Sequence, residues 1–241
     1  MSSRRRTPTQ VIDLNKPHTC EFCKQTFAKE HTLIQHVCEP KRRHQSRDLP
    51  EVKQAFTCYQ ILHVSLNPRL KHEPRTYAEF CASGMWSQLV RFVSWCAEQE
   101  AQEIHQFVNW LCDQNVSIHA WCDRHKYDAF LDHMLKTESA EQALCRSLKH
   151  MHTWHQASGL AMQQFFQKAH VSQICRWIVQ GKISGWLLYN ASTAVSFLER
   201  CNPEQLNLVQ THAPITFWKV KFLRHADQAE VVKLTLTEAG L

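Results

Sequence analysis

Three residues near the N-terminus have types and a spacing that suit a metal ion. Two residues separate Cys20 from Cys23, and twelve residues then separate Cys23 from His36. A tight turn points both thiolates at one ion, and a following helix directs the imidazole of His36 back toward it. Thiolate and imidazole groups are the usual ligands of structural Zn²⁺. The spacing therefore predicts a zinc-folded segment.

Two apolar residues lie between these ligands. Three residues separate Cys23 from Phe27, and two separate Leu33 from His36. The resulting Cys-x2-Cys-x3-Phe-x5-Leu-x2-His string resembles the two-cysteine, two-histidine zinc finger family at each fixed position up to His36. This resemblance implies a short β-hairpin followed by a helix, with Phe27 and Leu33 as a small core. Zinc contributes about 10–16 kcal/mol in such peptides, so metal binding and folding are one event.

The fourth ligand departs from that family. A second histidine is expected three to five residues after His36, and none stands at positions 40–42. Pro40 disfavours helical backbone at the residue before it, so we expect the helix to end just after His36. Unwinding there would bring Cys38 to the metal, and the predicted ligands are Cys20, Cys23, His36 and Cys38. The alternatives for the fourth position are His44, and then His31 or a water molecule.

Positive charge is concentrated around the same segment. Residues 1–50 hold ten Lys/Arg and five Asp/Glu, a net charge of +5, whereas the other 191 residues hold 18 and 17, a net charge of +1. Such a basic end suits a polyanionic partner. Residues 1–17 are predicted to be a flexible basic arm, and residues 18–48 to be the finger and its basic connector.

The finger resemblance also implies a mode of DNA binding. Docking as in that family would place the side chains at four helix positions against base edges, namely Lys29, His31, Thr32 and Gln35. One finger covers about three base pairs, so we expect contacts with the phosphate backbone to dominate. The residues expected on phosphates are Lys41, Arg42 and Arg43, with Arg4–Arg6 as further candidates. A finger that faces protein instead of DNA is the competing interpretation.

Helical periodicity dominates the remainder, and the whole chain holds only five glycines. Thr76 and Ser139 each begin a capping box, Asn202-Pro203 has the order typical of a helix start, and Gly159 and Gly181 are predicted helix ends. We expect an all-α protein of eight to ten short helices, without a sheet beyond the hairpin. The helical body is predicted to have two halves, residues 49–136 and 137–241, meeting near Thr137.

Composition excludes several classes of protein. The N-terminus lacks the apolar run of a signal peptide, and no stretch approaches the roughly 18 apolar residues of a membrane span. Most of the eleven cysteines stand alone within helical patterns, which is typical of free thiols in a reducing compartment. The expected location is therefore the cytoplasm, away from any membrane. No phosphate-binding glycine loop or nucleophile elbow is present, so we do not expect an enzyme.

The helical body, residues 50 to 225, is similar in layout to the helicase-loading proteins of T-even-like bacteriophages. The matching passages are Tyr77–Phe80 leading to Leu89–Val93, then Lys126–Leu131, Ile174–Leu188 and Phe217–Lys219. This resemblance implies a non-enzymatic adaptor that binds forked or single-stranded DNA and the single-strand-binding protein, and recruits the replicative helicase in the host cytoplasm. A zinc finger is an addition to that family.

Two other functions compete with the loader hypothesis. A zinc-finger regulator of transcription would select one duplex sequence, whereas a loader would prefer junctions or single strands of any sequence. A helical DNA-modifying enzyme that uses the finger to grip its substrate is the third hypothesis, and no residue in the sequence identifies its catalytic groups.

Overall fold

The computed structural model describes residues 17–66 and 73–241. The expected basic arm, including Arg4–Arg6, lies outside these residues except for its last position. The chain forms two compact units, Met1–Ser94 and Trp95–Leu241. The all-α class with a small N-terminal hairpin is confirmed, because the described residues contain one two-stranded sheet and are otherwise helical or connecting.

The first unit begins with an antiparallel hairpin in which His18 lies opposite Phe27 and Thr19 opposite Thr26. Four complete helices and the start of a fifth follow it. The elements are β1 (His18–Thr19), β2 (Thr26–Phe27), α1 (Glu30–Gln35), α2 (Glu39–Gln45), α3 (Pro50–Leu66), α4 (Tyr77–Ala82) and α5 (Trp86–Glu98).

The core of the first unit comes from α3, α4 and α5. On α3, Val52, Ala55 and Leu62 recur at helical spacing and are buried, while Phe56 and Tyr59 stay half-exposed. Helix α4 begins with the predicted capping box: the amide of Glu79 donates to Thr76 Oγ1 at 3.3 Å, and the amide of Thr76 donates to Glu79 Oε2 at 2.7 Å. These two bonds satisfy amides that a helix start leaves unpaired.

The second unit holds the last residues of α5 and ten more helices. They are α6 (Ile104–Asp113), α7 (Arg124–Thr137), α8 (Ala140–Ser158), α9 (Phe165–Lys168), α10 (Val171–Val179), α11 (Gly185–Leu188), α12 (Ala194–Arg200), α13 (Pro203–His212), α14 (Ile215–Arg224) and α15 (Ala226–Glu238). The capping box predicted at Ser139 is present, and Gly159 ends α8 in the left-handed conformation with φ of 70°. The helix start predicted at Asn202-Pro203 is also present, and Asn202 forms a capping box there.

Tryptophan and phenylalanine side chains fill the core of the second unit. Trp186 and Trp218 are almost completely buried, with ring centroids 5.9 Å apart at 75°. Gly185 lies against this pair, and a Cβ atom placed there would come within 2.0 Å of Trp218 Cε2. The close approach of α11 to α14 therefore requires the absence of a side chain at position 185.

Polar groups are also buried in the second unit. A guanidinium nitrogen of Arg146 lies 2.6 Å from a carboxylate oxygen of Glu138, and both side chains are about 5% exposed or less. Ser184 Oγ donates to the other oxygen of Glu138 at 3.1 Å, and Arg146 Nε donates to the carbonyl oxygen of Gly181 at 2.7 Å. Pairing of this kind is what allows charged groups to be removed from water.

Two expectations differ from the structure. The described residues contain fifteen α-helices instead of eight to ten, because elements as short as α9 and α11 do not span one full hydrophobic repeat. Glu39 is helical, although Pro40 follows it. The chain divides into its two compact units after Ser94, and the two helical halves 49–136 and 137–241 stay a prediction. Within the described residues, no helix has the length and apolar character that crossing a bilayer requires.

Candidate metal centre

The first two candidate ligands are held by the turn that joins β1 to β2. The amide of Cys20 donates to the carbonyl oxygen of Gln25 at 2.8 Å, and the amide of Lys24 donates to the carbonyl oxygen of Cys20 at 2.9 Å. Lys24 adopts φ of 62°, in the left-handed region that non-glycine residues rarely visit. These features make a tight turn that directs both thiols to the same side.

Backbone amides also point at the sulfur atoms of this turn. Hydrogen bonding by the amide of Cys23 is the main reason that the pKa of the Cys20 thiol lies below its ordinary value. The amide of Gln25 acts in the same direction on Cys23, but burial and the nearby thiols of Cys20 and Cys38 leave the pKa of Cys23 above its ordinary value. Amide donors around sulfur stabilise a thiolate, the form in which cysteine binds metals.

The other two candidate ligands stand at the junction of two helices. Helix α1 ends at Gln35, and His36 has extended backbone with φ of −66° and ψ of 121°. Cys38 is also extended and is the N-cap residue of α2. The predicted end of the helix near His36 is therefore confirmed, but the chain enters a new helix at Glu39. Pro40 is compatible with that start, because the first amides of a helix have no partner within it.

These four residues form one group. One ligand atom from each of Cys20, Cys23, His36 and Cys38 lies within 4.8 Å of all the others. Cys20 Sγ and Cys38 Sγ are 3.9 Å apart, and Cys23 Sγ is 3.2 Å from His36 Nε2. A tetrahedral zinc ion would separate two sulfurs by roughly 3.8 Å, and a sulfur and a nitrogen by roughly 3.6 Å. The donor set and its dimensions fit a tetrahedral ion of this kind.

The structure places one of the candidates for the fourth ligand near the other three ligands and the rest elsewhere. Cys38 belongs to the group, whereas His44 packs between two aromatic rings, with its ring centroid 5.1 Å from Phe22 and 6.1 Å from Tyr77. His31 is exposed and lies beside Thr32. In the part of the chain that is described, no other cluster of three or more potential ligands is found.

The apolar core of this segment is very small. The ring of Phe27 lies 4.7 Å from the ring of His36, which places the predicted core residue against a ligand. Leu33 is only half-buried, and neither α1 nor α2 contains a fully buried residue. Among the described residues of this segment, Cys20 is the one apolar side chain that is fully buried. Metal ligation is therefore the main interaction available to hold the segment together.

The four residues expected to face bases lie on or beside α1. Lys29 is the N-cap of this helix, and the side chains of Lys29, His31, Thr32 and Gln35 are all exposed. Their contact with DNA stays a prediction. With six residues, α1 is about 9 Å long, which limits the number of bases that it can reach.

The basic connector is attached to the helices that follow it. Arg43 Nε lies 3.0 Å from Glu39 Oε1, and its Nη1 donates to the carbonyl oxygens of Cys81 at 3.0 Å and Ser83 at 3.3 Å. Its guanidinium carbon also stands 5.0 Å from the ring centroid of Trp86. These contacts leave the Arg43 side chain 18% exposed.

The three basic side chains of the connector thus have different surroundings. Lys41 Nζ donates to the carbonyl oxygen of His36 at 3.2 Å, close to the candidate metal centre. Arg42 is exposed, and its guanidinium makes no hydrogen bond or ion pair within the described residues. Arg42 is therefore the connector residue whose guanidinium is most available to bind a phosphate. Most of the hydrogen-bond donors that Arg43 uses are engaged within the protein.

The second unit offers no comparable centre in its described residues. Its histidine cluster does not converge: His150 Nε2 lies 2.8 Å from Gln102 Oε1, and the rings of exposed His152 and half-buried His155 have centroids 5.7 Å apart. A cavity of about 210 Å³ is lined in part by Arg146 and Glu138, whose charges neutralise each other.

Comparison with protein-family models, curated proteins and solved structures finds no match to this chain.

Proposed function

We propose that Cys20, Cys23, His36 and Cys38 bind one structural zinc ion. Three thiolates and one imidazole in tetrahedral reach are a common ligand set for structural zinc, and harder cations such as Mg²⁺ and Ca²⁺ prefer oxygen. All four positions belong to the protein, so no coordination site is left for a substrate, as is typical of a structural ion. The observation that carries this proposal is the convergence of four donor atoms within 4.8 Å.

The zinc-folded segment would serve as a nucleic-acid-binding unit. Exposed polar and basic side chains on α1, together with Arg42 in the last turn of α2, can donate to phosphates or bases. The excess of positive charge in residues 1–50 supports a polyanionic partner at this end of the chain. Because one finger is too small to select a genomic site, contacts to the backbone would supply most of the affinity.

In its wider role the protein would be a non-enzymatic adaptor of phage DNA replication. The support for this role is the resemblance in sequence layout noted for residues 50 to 225, together with a basic end that carries the candidate metal centre. The adaptor would bind forked or single-stranded DNA and the single-strand-binding protein, and load the replicative helicase. A regulator of transcription that reads duplex DNA through Lys29, His31, Thr32 and Gln35 is the second candidate, because these side chains are exposed on one short helix.

The metal content of the protein tests whether the four candidate ligands bind zinc. Purified full-length protein should contain one zinc per chain, and Cys38→Ser should lower zinc affinity by at least tenfold, while His44→Ala should retain stoichiometric zinc. Cys145→Ser is the matched control, since Cys145 is an exposed free thiol of the second unit. Unchanged zinc affinity in Cys38→Ser would reject Cys38 as the fourth ligand.

A panel of DNA substrates tests whether the protein binds nucleic acid, and in which form. Zinc-loaded protein should bind forked or single-stranded DNA more tightly than duplex of the same length, and a chelator should abolish most of this affinity. Arg42→Gln should reduce the log–log slope of the binding constant against salt concentration by about 0.7 on single-stranded DNA, the value for one phosphate contact. Preference for one duplex sequence would favour the regulator instead, and failure to bind and stimulate a cognate replicative helicase on forked DNA would reject the loader role.

A further inference from the structure

A groove on the first unit is lined in part by His44, whose ring packs against Phe22 in the cysteine turn. It has a volume of about 550 Å³ and runs between α2, α3 and α4. Known ligand sites have volumes of about 300–1,000 Å³, so the groove is large enough for a small organic group. Its lining includes three ring side chains, His44, Phe56 and Tyr77, and two basic residues, Arg47 and Lys53.

The three rings form one connected aromatic surface. The ring centroids of Phe56 and Tyr77 are 5.5 Å apart at an interplanar angle of 80°, and those of Tyr77 and His44 are 6.1 Å apart. All three side chains are only half-buried, so part of each ring remains in contact with solvent. The polar end of Tyr77 is already satisfied, because its hydroxyl donates to the carbonyl oxygen of Arg43 at 2.7 Å. What the groove offers a ligand is therefore mostly aromatic surface.

Positive charge borders this aromatic surface. The side chains of Arg47 and Lys53 are 59% and 63% exposed, and both reach Asp48, at 3.9 Å and 3.4 Å. Exposed ion pairs of this kind contribute little to stability, so a phosphate can compete with Asp48 for either cation. Two cations and one carboxylate leave a net positive edge, and the exposed Arg42 adds a further charge on α2.

We propose that this groove binds an unpaired nucleobase of a single-stranded nucleic acid, with neighbouring phosphates on Arg47 and Lys53. The inference rests on the proposed nucleic-acid-binding function and assigns a site for the single-stranded form. An aromatic surface beside a basic edge is the combination that single-strand-binding proteins use, because every base has a face that can stack. In duplex DNA these faces are covered by neighbouring base pairs, so the groove favours single strands over duplex.

An abasic ligand separates base stacking from charge attraction. The zinc-loaded full-length protein is titrated with a fluorescently labelled oligothymidylate and with an oligonucleotide of equal length and charge that lacks the central bases, and binding is followed by anisotropy. One stacked base changes affinity by about fivefold to a hundredfold. The oligothymidylate should therefore bind at least fivefold more tightly, and equal affinities would overturn the inference.

Substitution of one groove residue locates the stacking surface. Phe56→Leu should reduce the ratio of the two affinities to nearly one, and Phe56→Trp should restore it. Tyr59→Leu is the matched control: Tyr59 lies on the same helix and also packs on Phe80, but it does not line the groove, so the ratio should stay unchanged. A Phe56→Leu protein that melts like the wild type and keeps the full ratio would contradict the proposed site.

The exposed residues Arg47 and Lys53 can be substituted without changing a core side chain, which gives a second test. Arg47→Gln and Lys53→Gln should each reduce the log–log salt slope for oligothymidylate by about 0.7, the value for one phosphate contact on a single strand. An unchanged slope in both variants would overturn the inference even if Phe56→Leu fails to fold. Displacement of the oligonucleotide by an acidic peptide, with no advantage of bases over abasic sites, would identify the groove as a peptide site and reject it as a base site.

These outcomes distinguish the inference from the proposed function. If the zinc-loaded protein binds neither single-stranded, forked nor duplex nucleic acid, the proposed function fails and the groove inference fails with it. If the protein binds oligothymidylate and the abasic oligonucleotide equally well, the proposed function stands and only the groove inference is rejected.

Discussion

The hydroxyl of Tyr77 donates a hydrogen bond to the carbonyl oxygen of Arg43 over 2.7 Å. This bond joins α4 to α2, the helix that begins directly after the candidate ligand Cys38. Arg43 completes the connection in the opposite direction, because its guanidinium donates to the carbonyl oxygens of Cys81 and Ser83 at the end of α4. Helices α2 and α4 are thus joined by hydrogen bonds from both sides, next to the candidate metal centre.

Removal of this hydroxyl tests how much the connection stabilises the first unit. Burial raises the pKa of Tyr77 to about 12, so the hydroxyl remains a donor throughout the neutral and moderately alkaline range. Tyr77→Phe should lower the free energy of unfolding by about 1 kcal/mol, the typical net contribution of one hydrogen bond. Denaturation in urea measures this change. Tyr59→Phe serves as the control and should change stability by less than half as much.

Metal removal should unfold one part of the chain selectively. Residues 18–48 contain little buried apolar surface, whereas the second unit has its own aromatic core. After chelation, hydrogen exchange should become fast in residues 18–37 and remain slow around Phe165 and Trp177. Zinc released during the experiment is quantified with a colorimetric chelator. Retained protection of Cys20 to Cys38 after complete metal removal would show that the segment folds without the ion.

A half-buried histidine should make the second unit sensitive to mild acid. Burial, helped by the nearby ammonium group of Lys182, lowers the pKa of His150 to about 4, from an ordinary value of 6.5. Between these values the unfolded chain binds a proton that the folded chain does not, so the free energy of unfolding falls as the pH is lowered from about 6.5 to 4. Above pH 6.5 this contribution is fully present.

The variant His150→Gln should remove this part of the pH dependence. Because His150 is partly exposed to solvent, we expect its contribution to be only about 1 kcal/mol. Urea denaturation of wild type and variant at pH 7 and pH 5 measures the difference. His152→Gln, exposed on the same helix, should leave the pH dependence intact, and an identical effect of the two variants would contradict the assignment.

The smallest residue in the core of the second unit should tolerate no enlargement. A Cβ atom at Gly185 would lie 2.0 Å from Trp218 Cε2, and relief would require movement of a fully buried indole ring. Gly185→Ala should therefore lower the free energy of unfolding by about 3 kcal/mol or more, beyond the usual cost of one extra methyl group in a core. Thermal and urea denaturation measure this loss of stability. At Gly84, an added Cβ atom would meet no atom within 4 Å, so Gly84→Ala should change the stability very little.

Local patterns predicted the elements of the metal centre well. The cysteine turn depends on residues that are close in sequence, and capping boxes such as Thr76–Glu79 are also local, so spacing alone was sufficient. The fourth position was open because a chain leaving His36 can turn in more than one direction. The helix that begins after Cys38 places this residue in the group of candidate ligands. The position of Pro40 alone did not predict that a new helix starts there.

Contacts between distant residues could not be predicted in the same way. The carbonyl oxygens that Arg43 reaches lie 38 and 40 residues further along the chain. The sequence shows a basic run at Lys41–Arg43, and runs of this kind do not reveal which members turn toward the protein. The groove at Phe56 and Tyr77 was missed for the same reason, since its rings belong to α3 and α4 and meet only through tertiary packing.

The position of Cys38 at the first turn of α2 has a consequence for metal affinity. An isolated peptide ending at Asp48 would have to bring Cys38 to the ion while α2 samples many orientations. In the intact chain, Tyr77 and Trp86 restrict those orientations before the ion arrives, so less conformational entropy is lost on ligation. Zinc retention is thereby coupled to residues that never touch the ion.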